Sequence, residues 1–153
     1  MRGWSSSEAP PRPIRCSTSR ARRPVEMAVR VYHRDRPDER MPMIASDARL
    51  VVWPGVGAHS ANMNYVHMRA GEENVPHTHA ESEDTLFILS GRGSIADVAN
   101  DAVLEFSAGQ AIHVPAGLEH QVRGDRGSDV VSVGGPCPAD LELLEAIGLW
   151  PRD

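Results

Sequence analysis

The stretch GEENVPHTHAESEDTLFILSG, residues 71–91, contains two histidines one residue apart, His77 and His79. In an extended backbone, side chains at positions i and i+2 point to the same face, so both imidazoles can reach one point. An acidic run, ESED at residues 81–84, follows directly. Imidazole nitrogen and carboxylate oxygen together suit a divalent transition metal, and His120 could supply a further imidazole. The stretch therefore predicts half of a metal site.

The sequence around this stretch predicts one all-β domain. A chain of 153 residues can bury a core of its own but is too short for two ordinary domains. Its 13 glycines and 12 prolines separate short apolar runs, a pattern typical of strands and turns. We trace roughly eight or nine strands, at the spacing expected of a sandwich or jelly roll. Near the end, Asp140 can cap a short amphipathic helix, which we expect to pack on the outside of the sheets.

The first 40 residues differ in composition from the rest. They hold ten arginines against five acidic residues and no sustained apolar period, so we expect residues 1–40 to be poorly ordered. Two interpretations remain open: a basic arm or transit peptide, or, because Met27 offers a second start, residues 1–26 that lie outside the native protein. We assign the barrel to residues 41–137 and the C-terminal helix and tail to residues 138–153.

Charge and hydropathy exclude several function classes. Residues 41–153 hold six arginines against sixteen acidic residues, a formal balance of −10, which should repel nucleic acid. We find no helix-turn-helix pattern, no apolar run of transmembrane length and no signal-peptide core. We therefore expect a cytoplasmic protein with no nucleic-acid or membrane partner. Cys16 and Cys137 lie far apart and imply no disulfide framework.

Two further groups are candidates for contact with a substrate. Period two places Asn62 and Asn64 on the same strand face as the apolar Val66 and Met68, which we expect to be the interior face. The two amides would then bind substrate, although hydrogen bonding to a turn or to water is an alternative. His113 could face the pocket as a base, the alternative being a satisfied core histidine.

The spacing of the glycines, histidines and a proline resembles the two motifs of the cupin superfamily, G-x5-H-x-H-x(3,4)-E-x6-G and G-x5-P-x-G-x2-H-x3-N. The matching positions are Gly71, His77, His79 and Gly91 in the first motif, then Gly109, Pro115, Gly117 and His120 in the second. The motifs are separated by 17 residues, as in compact one-domain members. The resemblance implies a double-stranded β-helix, or jelly-roll, barrel. It also implies a metal held by the three histidines and one carboxylate.

That carboxylate departs from the motif. Six residues separate Asp84 from Gly91, so aspartate stands where the motif has glutamate, unless Glu83 takes its place. Adjacent strand residues point to opposite faces, so only one of the two can reach the metal without a bulge. We expect Asp84, because the strand sets its distance to Gly91. Gly124 replaces the last asparagine of the second motif, a position that we take to be structural.

The resemblance implies a metal-dependent enzyme that acts on a small organic substrate through a carbonyl or carboxylate oxygen. One divalent zinc, nickel, manganese or iron ion would polarise that oxygen. We favour a non-redox isomerase or epimerase, because some similar small cupins epimerise aryl keto acids in natural-product pathways. An Fe(II)-dependent dioxygenase and a noncatalytic small-molecule or metal-binding protein are the alternatives. Small cupins commonly pair, so we expect a homodimer that covers the strands near residues 44–53.

Overall fold

Nine β-strands and one α-helix form the described part of the chain, residues 28–36 and 38–151 of a computed structural model. In chain order they are β1 Glu39–Arg40, β2 Asp47–Val52, β3 Met63–Met68, β4 Glu83–Ser90, β5 Arg92–Asp97, β6 Ala102–Ser107, β7 Ala111–Val114, β8 His120–Gly124, β9 Val130–Cys137 and α1 Leu141–Ala146. A short 3-10 turn, Pro54–Val56, follows β2. The predicted all-β class is confirmed.

The strands form two antiparallel sheets. One has six strands in the order β1-β2-β3-β9-β4-β7, and the other has three in the order β6-β5-β8. In the larger sheet, β9 lies between β3 and β4, so the last strand joins the two halves of the barrel. This pairing of distant strands is the jelly-roll arrangement that the motifs predict.

The core lies between the sheets, where side chains of alternate residues meet. Val66, Ile88 and Val130 of the large sheet, together with Ile95 and Phe106 of the small one, belong to one cluster of buried side chains. Full burial of an aliphatic side chain of this size stabilises the fold by about 1.5–3 kcal/mol. The same alternation makes every second residue of the cavity wall point inward.

Helix α1 begins at the cap residue Asp140, as predicted, and its Leu144 is only 3% exposed. Leu143 and Leu144 line the interior cavity of the barrel together with strand residues. The expectation that this helix packs on the outside of the sheets is therefore wrong. The helix forms part of the cavity wall, because burying Leu144 requires an apolar surface and the barrel interior supplies one.

The N-terminal segment is described only in part. Within the predicted segment 1–40, residues 1–27 and residue 37 lie outside the described residues, and so does Cys16. Strand β1 pairs with β2 on the N-terminal side of the predicted boundary, and Asp35 contacts Arg49 of β2. Among the described residues, no helix is long and apolar enough to cross a membrane.

Candidate metal centre

Three imidazoles meet inside the barrel. One ligand nitrogen from each of His77, His79 and His120 lies within 4.8 Å of the others. The first two precede β4 and the third begins β8. Two backbone hydrogen bonds between His77 and His120, of 3.0 and 3.1 Å, join these distant parts of the chain. The cluster therefore depends on backbone pairing as well as on side-chain packing.

All three rings have their Nδ1 atom close to an oxygen. The partners are the Val75 carbonyl for His77 at 2.8 Å, the Asp140 carboxylate for His79 at 2.7 Å, and the Leu118 carbonyl for His120 at 3.1 Å. Such oxygens only accept, so in the neutral rings Nδ1 carries the hydrogen and Nε2 carries a lone pair. The buried Nε2 atoms of His79 and His120 make no hydrogen bond within the described residues. Convergent, unpartnered Nε2 atoms are what a transition-metal ion requires, so this donor set fits one.

Asp84 faces two of these histidines. Its Oδ2 atom lies 3.8 Å from His79 Nε2 and 3.6 Å from His120 Nε2, too far for hydrogen bonds. An ion bound at about 2.0–2.2 Å could lie between such atoms. The Asp84 carboxylate is buried, whereas the Glu83 side chain is 66% exposed. Strand parity thus places Asp84 inside the barrel and Glu83 outside.

The site changes the proton affinity of two of its histidines. Burial lowers the pKa of His77, and this effect exceeds the opposing hydrogen bond to Val75. Burial also acts to lower the pKa of His120, but the nearby Asp84 carboxylate and the bond to Leu118 raise it overall. At 3.6 Å the influence of Asp84 is a charge interaction. Burial therefore favours the neutral, ligating form of His77.

The prediction that His113 faces the pocket is wrong. The His113 side chain is 57% exposed, and its Nε2 atom lies 3.1 Å from Glu83 Oε2 on the outer surface. Strand β7 pairs with β4 so that Val114 is opposite Asp84 and His113 is opposite Thr85. Because neighbouring residues face opposite ways, Val114 points inward and His113 cannot. His113 is therefore neither a base in the metal-site cavity nor a core histidine.

Asn62 and Asn64 both line the cavity, which has a volume of about 60 Å3 and a mainly apolar wall. Their Oδ1 atoms are buried and have no hydrogen-bond partner among the described residues. Gly135 makes room for them, since a Cβ added there would lie 2.6 Å from Asn64 Nδ2. The two amides thus form a second polar group in the cavity, besides the histidines.

The sequence identifies Asp140 only as a helix cap, and the structure adds its contact with His79. These residues are 61 positions apart, and no local pattern relates them. The one signal in the sequence is that a capping aspartate has a second oxygen available.

Comparison with known proteins agrees with this fold. The family model described as a cupin domain matches residues 64–133, whereas the comparison with curated proteins finds no match. Similar solved structures are a Klebsiella pneumoniae protein with a double-stranded β-helix domain, the polyketide cyclase RemF of Streptomyces resistomycificus and a predicted oxalate decarboxylase of Thermotoga maritima.

The Klebsiella protein is 18% identical with a TM-score of 0.59, and the match covers 74% of this chain and 93% of that one. The cyclase is 19% identical with a TM-score of 0.53, and the match covers 59% of this chain and 63% of that one. The Thermotoga protein is 16% identical with a TM-score of 0.51, and the match covers 60% of this chain and 78% of that one. Identities this low establish the fold alone. The fold, the domain match and the motifs together identify this chain as a small protein with a cupin domain.

Proposed function

We propose that this protein is a metal-dependent enzyme that binds a small organic substrate through an oxygen atom at the three-histidine site. The observation that carries the proposal is the convergence of three imidazoles in a buried cavity, with each Nδ1 next to an oxygen. A divalent ion bound there would supply Lewis-acid polarisation of a carbonyl or carboxylate. The enzymes among the similar structures, a polyketide cyclase and a predicted oxalate decarboxylase, are compatible with this class.

The size and lining of the cavity support a small polar substrate. An apolar cavity of about 150 Å3 holds benzene, whereas this one measures about 60 Å3. A small keto or hydroxy acid therefore fits better than the aryl keto acids of natural-product pathways. Its oxygen would lie at the histidines, and its other polar end would reach the Asn62 and Asn64 amides, whose Oδ1 atoms have no described partner.

We favour isomerisation or epimerisation by proton transfer, with Asp84 holding the metal through Oδ2 and acting as the base through Oδ1. With His113 on the outer surface, two carboxylates remain beside the site among the described residues, those of Asp84 and Asp140. The oxygens of Asp140 are engaged by Leu143 and His79, whereas the Oδ1 atom of Asp84 makes no described hydrogen bond. The C–H bond next to the substrate carbonyl would break, Asp84 would take the proton, and the bonding pair would move towards the carbonyl oxygen. Return of the proton to the opposite face of the same carbon gives the epimer. In a 2-hydroxy carbonyl compound, its return to the neighbouring carbon, with the hydroxyl proton moving to the former carbonyl oxygen, gives the isomer.

An Fe(II)-dependent dioxygenase is the second candidate. The apolar wall of the cavity and its small volume suit dioxygen, which is small and apolar. This alternative needs iron, whereas proton transfer works with zinc, nickel or manganese. Metal identity therefore separates the two candidates.

Elemental analysis of the purified protein tests the proposal. We expect about one metal ion per chain in the wild type and loss of that ion in the double variant His77→Ala/His120→Ala. The double variant keeps only His79 and Asp84, whereas a site of this kind needs at least three protein ligands. His113→Ala is the matched control, because it removes an exposed imidazole and should keep the metal. Stoichiometric iron would select the dioxygenase, and failure of the wild type to bind any of the four metals after reconstitution would refute the proposal.

A further inference from the structure

Asp140 uses its two carboxylate oxygens for two different contacts. Oδ1 accepts a hydrogen bond of 2.9 Å from the backbone N–H of Leu143, in the first turn of α1. Oδ2 lies 2.7 Å from Nδ1 of His79. The side chains of Asp140 and His79 are only 12% and 3% exposed, so water competes little for either contact. One side chain therefore joins the C-terminal helix to a candidate metal ligand.

His79 differs from the other two histidines in its partner. His77 and His120 have backbone carbonyls at Nδ1, whereas His79 has a carboxylate. A charged acceptor makes a shorter and stronger hydrogen bond than a neutral one. It also orients the ring and makes the opposite nitrogen a better electron donor to a metal. The contact with Asp140 should therefore strengthen His79 as a metal ligand. Its effect should be larger than that of the backbone carbonyls on His77 and His120.

The helix depends on the same residue. Helix α1 has six residues, well below the length of about 12–15 at which an isolated helix becomes stable in water. Its order therefore relies on its cap and on the burial of Leu144. An ion at His79 Nε2 would withdraw electrons from the ring and strengthen the hydrogen bond from Nδ1 to Asp140. A stronger hydrogen bond would fix the Asp140 side chain in place, and this would stabilise the first turn of α1.

We propose that Asp140 is a positioning residue that orients His79 for metal binding and couples that binding to the order of helix α1. The inference rests on the proposed metal site and goes beyond it, because it assigns a role to a residue outside the ligand set. By thermodynamic reciprocity, whatever strengthens the helix cap through Asp140 also strengthens the metal site.

Two substitutions separate the roles of Asp140. Serine caps helices about as well as aspartate but is too short to reach His79, so Asp140→Ser should keep the cap and lose the contact. Asp140→Asn keeps the length but has one carbonyl oxygen for two donors and no charge. The control is Glu142→Gln, which removes a charge from an exposed residue of the same first turn.

The first measurement is the zinc dissociation constant, obtained by competition with a chelator. We expect it to rise by about 10- to 100-fold in Asp140→Ser, the range found when such supporting contacts are removed. The dissociation constant of Asp140→Asn should lie between those of Asp140→Ser and the wild type. That of Glu142→Gln should stay within about twofold of the wild-type value. A purely structural role predicts a lower melting temperature of the metal-free protein with unchanged zinc affinity, and that result would overturn the proposal.

The second measurement is amide hydrogen exchange in α1, with and without zinc. Zinc should slow exchange at Leu143 and Leu144, whose amides bond to Asp140, in the wild type and in Glu142→Gln but not in Asp140→Ser. Equal protection in all three proteins would refute the coupling. If the wild type bound no zinc, nickel, manganese or iron, the proposed function would fail as well. Normal metal binding with no effect of Asp140 would refute this inference alone.

Discussion

At Asp84, one carboxylate oxygen faces two histidines and the other makes no hydrogen bond within the described residues. Asp84→Asn keeps the size of the side chain but removes its ability to take a proton. We expect deuterium exchange at the carbon next to the carbonyl of a small 2-oxo acid to slow by about 10²- to 10⁴-fold, the usual contribution of a general base. Proton NMR of the substrate in heavy water measures this rate.

Glu83→Gln is the control for that prediction, because Glu83 is the adjacent carboxylate and points outward. It should leave both exchange and metal content unchanged. Slow exchange in Glu83→Gln, or normal exchange in Asp84→Asn, would contradict the assignment of Asp84 as the base.

Single residues also show where local pattern succeeds. Asn64 faces the interior, as the alternation with Val66 and Met68 predicts. His113 does not face the interior. The two-residue period fixes only that neighbouring residues face opposite ways, and the pairing with the partner strand decides which of them faces inward. For β7 that partner is β4, which places Val114 opposite the inward-facing Asp84.

At the scale of elements, helix α1 contributes Leu143 and Leu144 to the cavity wall. Leu144 is 3% exposed and lines the cavity, whereas Leu141 on the same helix is 41% exposed. Leu144→Ala should lower the free energy of unfolding by about 2–5 kcal/mol, as buried leucine truncations do. Leu141→Ala, the matched control, should change it by less than about 1 kcal/mol. Urea denaturation measures both, and equal losses would mean that the helix does not pack as described.

The strands near the N-terminus bear on the stability of the whole molecule in acid. Asp47 of β2 hydrogen-bonds Arg49 at 2.5 Å, and this bond is the main cause that lowers its pKa below the ordinary value of 3.8. Burial opposes the shift, and the charges of Arg49, Arg40 and His67 add to it. The folded state therefore holds this proton less tightly than the unfolded state.

The sign of that shift sets a pH dependence. A depressed carboxyl pKa contributes stability at pH values above about 3.8, and this contribution is lost as the pH falls through the folded-state pKa. We expect Asp47→Asn to lower the melting temperature at pH 6 and to have little further effect near pH 2. Asp101→Asn, in an exposed turn, controls for the loss of one charge. A melting-temperature difference that did not shrink in acid would contradict this account.

The sequence predicted the barrel and the shared facing of His77 and His79, and the resemblance of its two motifs to the cupin pattern added His120. The barrel and the shared facing depend on spacing along the chain: glycines and prolines mark the turns, and an H-x-H pair in extended backbone points one way whatever surrounds it. Parity allows only one of Glu83 and Asp84 to face inward, and the spacing to Gly91 selects Asp84. Only the tertiary structure decided the outward facing of His113, the place of α1 in the cavity wall and the contact between Asp140 and His79. Each of these depends on which distant segments pack together, and local periodicity carries no information about that choice.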